Sequence, residues 1–180
     1  MAFTVQDDSG AVPNANAYID VDFFKGYIDD RQGSDAYGDY EDGQIERAIV
    51  VATDYVDNRF KYVGDRSLGS DVQTTQWPRD VAFDADGRQQ NGIPDAVKKA
   101  TAEYAMRALK ATLDPDPVRD ASGRKVMSES KSVGPVSKSV TYGIGSSEPP
   151  KYPAADRILQ ASGLILGGPS AWGTGDLRRA

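Results

Sequence analysis

Two short segments concentrate the side chains that could do chemistry. The first is Asp84-Ala85-Asp86-Gly87, oxygen-rich and closed by a turn glycine, which invites a calcium reading. A helix–loop–helix calcium loop needs oxygen ligands at its first, third and fifth positions, glycine at the sixth and a bidentate glutamate at the twelfth. With Gly87 at the sixth position, Ala82 falls on the first and Ile93 on the twelfth, so both key ligands are missing. A solvated turn accounts better for the segment. The second is Gln76-Trp77-Pro78-Arg79. Its indole could stack on a base or a sugar. The plainer reading, which the composition favours, has Trp77 closing a helical core while Arg79 bonds a carbonyl or carboxylate.

Elsewhere the residue types exclude more than they suggest. The chain has no histidine and no cysteine. Imidazole acid–base chemistry, serine or cysteine triads and thiolate metal sites are therefore absent. Asp29, Asp30, Asp39, Glu41 and Asp42 are acidic, but their spacing fixes no geometry for a catalytic pair, and they read as surface charge. Gly143-Ile144-Gly145 lacks the glycine count and the Lys-Ser/Thr sequel of a phosphate loop. No enzyme activity, metal or cofactor is expected. The formal net charge is -6 and the pI about 4.7, the reverse of the basic footprint that nucleic-acid binding usually shows. A single-stranded-DNA-binding module using Trp77, Arg79 and Tyr62 stands as the second reading. Met1 to Gly10 has no leader pattern, and no apolar run approaches the roughly 20 residues of a membrane span.

These residues need elements to hold them. Asp20 reads as a helix N-cap, Asp22 as a first-turn acid, and Phe23, Phe24, Tyr27 and Ile28 as one helical face that ends by Gly33. Ile45, Ala48, Ile49, Ala52 and Val56 recur at helical spacing, with Val51 and Tyr55 widening the stripe, so this second helix is expected to be central and to run to about Phe60. Residues 61–91 lack sustained periodicity. Pro94 suits the first position of a third helix, with Ile93 as a staple and Val97, Ala100, Thr101, Tyr104, Ala105 and Ala108 buried. Alternation over 125–142 predicts a β-hairpin turning at Val133-Gly134-Pro135-Val136. Pro153 opens a last helix carrying Ala155, Ile158, Leu159 and Ser162. The expected fold is mainly α: a small helical bundle with a β-hairpin and extended N- and C-terminal arms. Its parts are an N-terminal arm over 1–17, a helical core over 18–162 and a flexible docking tail over 163–180.

The order of these features resembles a family of tailed-bacteriophage head-to-tail connector, or adaptor, proteins. The motifs are Asn14-Ala15-Asn16-Ala17-Tyr18 with Phe23-Phe24, then Ala52-Thr53-Asp54-Tyr55-Val56-Asp57, then Gln76-Trp77-Pro78-Arg79 with Asp84-Ala85-Asp86-Gly87 and Ile93-Pro94. Lys131-Ser132-Val133-Gly134, Ser139-Val140-Thr141-Tyr142 and Pro153 to Leu159 complete the series. Some members of that family are labelled DnaT-like single-stranded-DNA-binding proteins. The resemblance implies a structural virion protein in the neck, assembled in the bacterial host cytoplasm. It implies a homo-oligomeric ring of about twelve copies (a 12-mer) under the portal protein. The ring would contact a downstream neck, stopper or tail protein and let double-stranded DNA pass, with no membrane partner. Leu164, Ile165, Leu166, Trp172, Arg178 and Arg179 are the candidate portal-docking residues, and Trp77, Pro78 and Arg79 a structural motif.

Overall fold

A computed structural model describes residues 2–69, 71–115, 126–132, 137–142 and 152–166. The first helix, α1 (Val21–Gln32), begins where the Asp20 carboxylate accepts the Phe23 backbone N–H at 2.7 Å. That bond satisfies one of the donors a helix start leaves free. After a short 3₁₀ turn at Ser34–Ala36, α2 (Asp42–Arg59) opens with the Gln44 side chain accepting from Glu41 N at 2.9 Å. The third helix, α3, spans Asp95–Ala108, with Pro94 as its N-cap rather than its first turn. The last helix, α4, spans Pro153–Ser162. The expected mainly helical fold with a small hairpin is what the chain adopts.

Centrality falls to α3, not α2. Every residue from Ala100 to Met106 of α3 is buried, and α1, α2 and α4 all pack on it. Ala100, Ala102 and Ala105 keep that surface low enough for close approach. By contrast α2 buries one face through Ile45, Ala48, Ile49, Ala52 and Val56 and leaves Val51 49 % exposed. The expectation that Val51 widens the buried stripe is therefore corrected: among the described residues no element buries it.

Polar groups lock the helices. Asp156 of α4 is buried, accepts the Tyr104 hydroxyl of α3, and pairs with Arg59 of α2 at 3.1 Å. The rings of Tyr55, Tyr104 and Tyr152 meet around it, with centroids 5.1 to 5.9 Å apart. One residue before Tyr104, Glu103 accepts from Tyr27 at 3.3 Å and from Arg107 at 2.6 Å.

Residues 61–91 carry no helix but are tied down at several points. Two-residue strands β1 (Asp65–Arg66) and β2 (Arg79–Asp80) pair antiparallel, and Tyr62 bridges Ile165. Gly64 is obligatory there: φ is +71°, and a Cβ would stand 2.3 Å from the Asp80 carbonyl. The first 17 residues run extended yet are ordered by their own chain. Asn16 N donates to Thr4 O at 2.9 Å, Gln6 N to Ala17 O at 2.8 Å, and Ala15, Ala17 and Gln6 are buried.

The chain divides into two compact units, Met1–Leu113 with Tyr152–Ala180, and Asp114–Lys151. The second holds the antiparallel pair β3 (Val126–Ser132) and β4 (Ser137–Tyr142), in register from Val126↔Tyr142 to Ser132↔Ser137 with one irregularity near Val126. The expected turn at 133–136 lies outside the described residues.

Candidate functional site

The residues singled out in the sequence are mostly structural. Trp77 is fully buried, its ring edge-on to Tyr62 at 5.5 Å. Arg79 donates to the Val63 carbonyl at 2.9 Å, to Gln76 Oε1 at 3.1 Å and to the Gly64 carbonyl. Tyr62 is also buried. Trp77, Arg79 and Tyr62 therefore cannot offer a base a free ring and a free cation, and that part of the second reading is corrected. Asp84 folds its own turn, its carboxylate accepting from Asp86 N, Arg88 N and Gln90 Nε2 at 2.9 Å each. No cluster of three or more metal-binding residues exists among the described residues. Leu164 lies in the core and Ile165 is half-buried, whereas Leu166 is 59 % exposed. Trp172, Arg178 and Arg179 lie outside the described residues.

A different surface has the makings of a binding site. Gly43, Arg47, Val50, Asp54 and Asp57 fall on one face of α2, at the spacing of successive helical turns. Three hollows follow that face. The first, of about 240 Å³, lies between Tyr40, Gln44, Arg47 and Leu109. The second, of about 520 Å³, lies between Phe3, Asn16, Gly43 and Val50 and shares Arg47 and Val51 with the first. The third, of about 210 Å³, is lined by Asn14, Thr53, Asp54, Asp57, Thr74 and Thr75 and shares Asn16 with the second. They adjoin one another at these shared residues, a row along the groove face of α2 about 20 Å long at the helical rise of 1.5 Å per residue.

Local sequence explains how the groove is held open. The far wall is the N-terminal segment, fixed by Asn16, whose Oδ1 accepts from Thr4 N and whose Nδ2 donates to Ala2 O, both at 2.9 Å. Those two bonds set the position of Phe3, which is half-buried against the core. Gly43 sits in the first turn of α2, where any other residue would favour the helix by up to about 1 kcal/mol. A Cβ there would meet only the Arg47 guanidinium, at 3.8 Å, so the missing side chain leaves space over that cation. Arg47 is exposed and makes no ion pair or hydrogen bond among the described residues. It is thus an unpaired cation with half-buried aromatic rings, Phe3 and Tyr40, to either side.

At the far end the groove turns acidic. Asp57 accepts the Tyr18 hydroxyl and the Gln76 backbone N–H, the latter at 2.9 Å. Burial nevertheless pushes its carboxyl up to about 6. Asp54 is raised as well, again by burial. Thr53 is 1 % exposed, and its Oγ1 has no hydrogen-bond partner. The Tyr18 hydroxyl in turn accepts from Trp77 N at 3.1 Å, so the buried Trp77 segment braces the floor of this hollow through Tyr18 and Asp57.

The whole chain, residues 1–180, matches the family described as "Putative DnaT-like ssDNA binding protein". The chain belongs to this family. The match corrects the connector expectation: membership in the DnaT-like family favours the single-stranded-DNA reading and lends no support to a neck ring under a portal. No curated protein and no solved structure matched the chain.

Sequence reasoning missed Phe3, Tyr40, Arg47 and Asp54. Gly43 inside a helical pattern was a usable signal, as was Val51, an apolar residue at the margin of the stripe.

Proposed function

We propose that this DnaT-like chain binds single-stranded DNA, without making or breaking a bond, along the α2 groove with Arg47 at its centre. Family membership over residues 1–180 carries the reading. The groove supports it by offering the two features that single strands use, rings for base stacking and a cation for the backbone. Arg47 makes no hydrogen bond or ion pair among the described residues, and Phe3 and Tyr40, though packed against the core, stay partly exposed.

The net charge of -6 shapes how such binding must work. The field of the whole surface opposes a polyanion, so affinity comes from stacking and local contact rather than long-range steering. With about one phosphate neutralised, log K should fall against log salt with a slope near -0.7, far shallower than for a basic binder.

The test is fluorescence anisotropy with a labelled single-stranded oligonucleotide at low and moderate salt. Binding with a shallow slope is expected. Arg47→Glu should abolish it, and Phe3→Ala should weaken it by about 1–3 kcal/mol. Circular dichroism should show both variants folded. Absence of binding at low salt would sink the proposal.

A further inference from the structure

We infer that the hollow formed by Thr53, Asp54 and Asp57 of α2 with Asn14, Asn16 and Thr75 selects nucleobases that carry an exocyclic amino group, cytosine foremost, over thymine. This rests on the reading of the groove as a single-strand site.

The hollow adjoins the stacking part of the groove at Asn16, which lines both, so a strand lying past Phe3 and Arg47 is led to it. Its lining is rich in acceptors. Asp54 is exposed on the groove face and makes no hydrogen bond or ion pair among the described residues. Asp57 keeps acceptor capacity, because two donors occupy only part of a carboxylate. The Thr53 hydroxyl behind this wall is buried and makes no hydrogen bond among the described residues. The volume of about 210 Å³ suits one ring rather than a stretch of chain.

Two carboxylates at this end repel phosphate, so the base edge rather than the backbone faces them. Cytosine presents its N4 amino group as a donor, the usual partner of a carboxylate in base readout. Thymine presents the O4 acceptor at the corresponding place. Thymine therefore meets repulsion where cytosine meets a charge-assisted hydrogen bond.

The experiment compares equal-length deoxycytidine and thymidine homo-oligomers by anisotropy, with the full chain, near neutral pH. Wild type should bind the cytosine oligomer about tenfold more tightly. Asp54→Asn, whose amide can also donate to O4, should bring the ratio to within about twofold while still binding thymidine. Asp54 is exposed, and an unchanged melting temperature would show the variant folded. Equal affinity of wild type for the two oligomers overturns this inference and leaves the single-strand reading standing. A cytosine preference that survives Asp54→Asn also overturns it. Binding to neither oligomer overturns both.

Discussion

Asp57 shows how much a single carboxylate can be asked to do. It braces the Trp77 segment through Gln76 N and Tyr18, and burial holds its proton on up to about pH 6. An unfolded aspartate loses its proton near 4. Between these values the native state binds more protons than the unfolded state, so stability falls as pH rises, then levels off above about 6. A shift of this size is worth at most about 3 kcal/mol, less whatever solvent entering the open hollow screens away. Chemical denaturation from pH 4 to 7 should show that decline, and Asp57→Asn should flatten it. At the same scale the sequence was legible only in part. Asp20 could be read as a cap because capping is local and its partner lies three residues on. Arg47, Thr53 and Asp54 could not be singled out, because what distinguishes them is the lack of a partner, and partners come from distant segments.

Among the elements, α2 and α4 were found in the sequence and their roles were not. Periodicity locates a buried stripe but does not say how wide the covering neighbours are, which is why Val51 was misassigned. The small residues of α3 announce close approach by a neighbour; that three helices converge on it follows only from the fold. The sequence marks α4 by Pro153 and Leu159 but does not single out Asp156, which is buried and ties the helix to α2 and α3. That tie yields a prediction. Asp156→Ala removes one partner of the half-buried Arg59 and leaves the buried Tyr104 hydroxyl without this acceptor. Urea denaturation should show a loss of about 1–3 kcal/mol. Asp86→Ala, which disturbs only an exposed pair, should cost under about 1 kcal/mol.

For the molecule as a whole, fold class was legible and function was not. Helical spacing, Pro153 and the alternation over 125–142 fixed a helical core with a hairpin, because those signals are written locally. The acidic net charge points away from nucleic acid, whereas the family matched over residues 1–180 points toward it. Net charge is a sum over the surface, whereas a strand touches only a groove. The arrangement of Phe3, Arg47 and Tyr40 needs the N-terminal segment folded back along α2, a contact spanning some 40 residues of chain that no local pattern announces.

The bond between Tyr152 Oη and the Leu113 carbonyl, at 2.7 Å, has a consequence for how the chain can change. It joins the two points where residues 114–151 leave and rejoin the helical unit, so that unit is closed at its base without them. A hairpin inserted at such a closed seam is free to lengthen, shrink or be exchanged while the host fold persists. Replacing 114–151 by a short glycine–serine connection should leave a cooperative helical melt by circular dichroism, with the midpoint lowered by only a few degrees. The seam makes this protein a host with a replaceable cassette, so relatives should differ most in length between the positions of Leu113 and Tyr152.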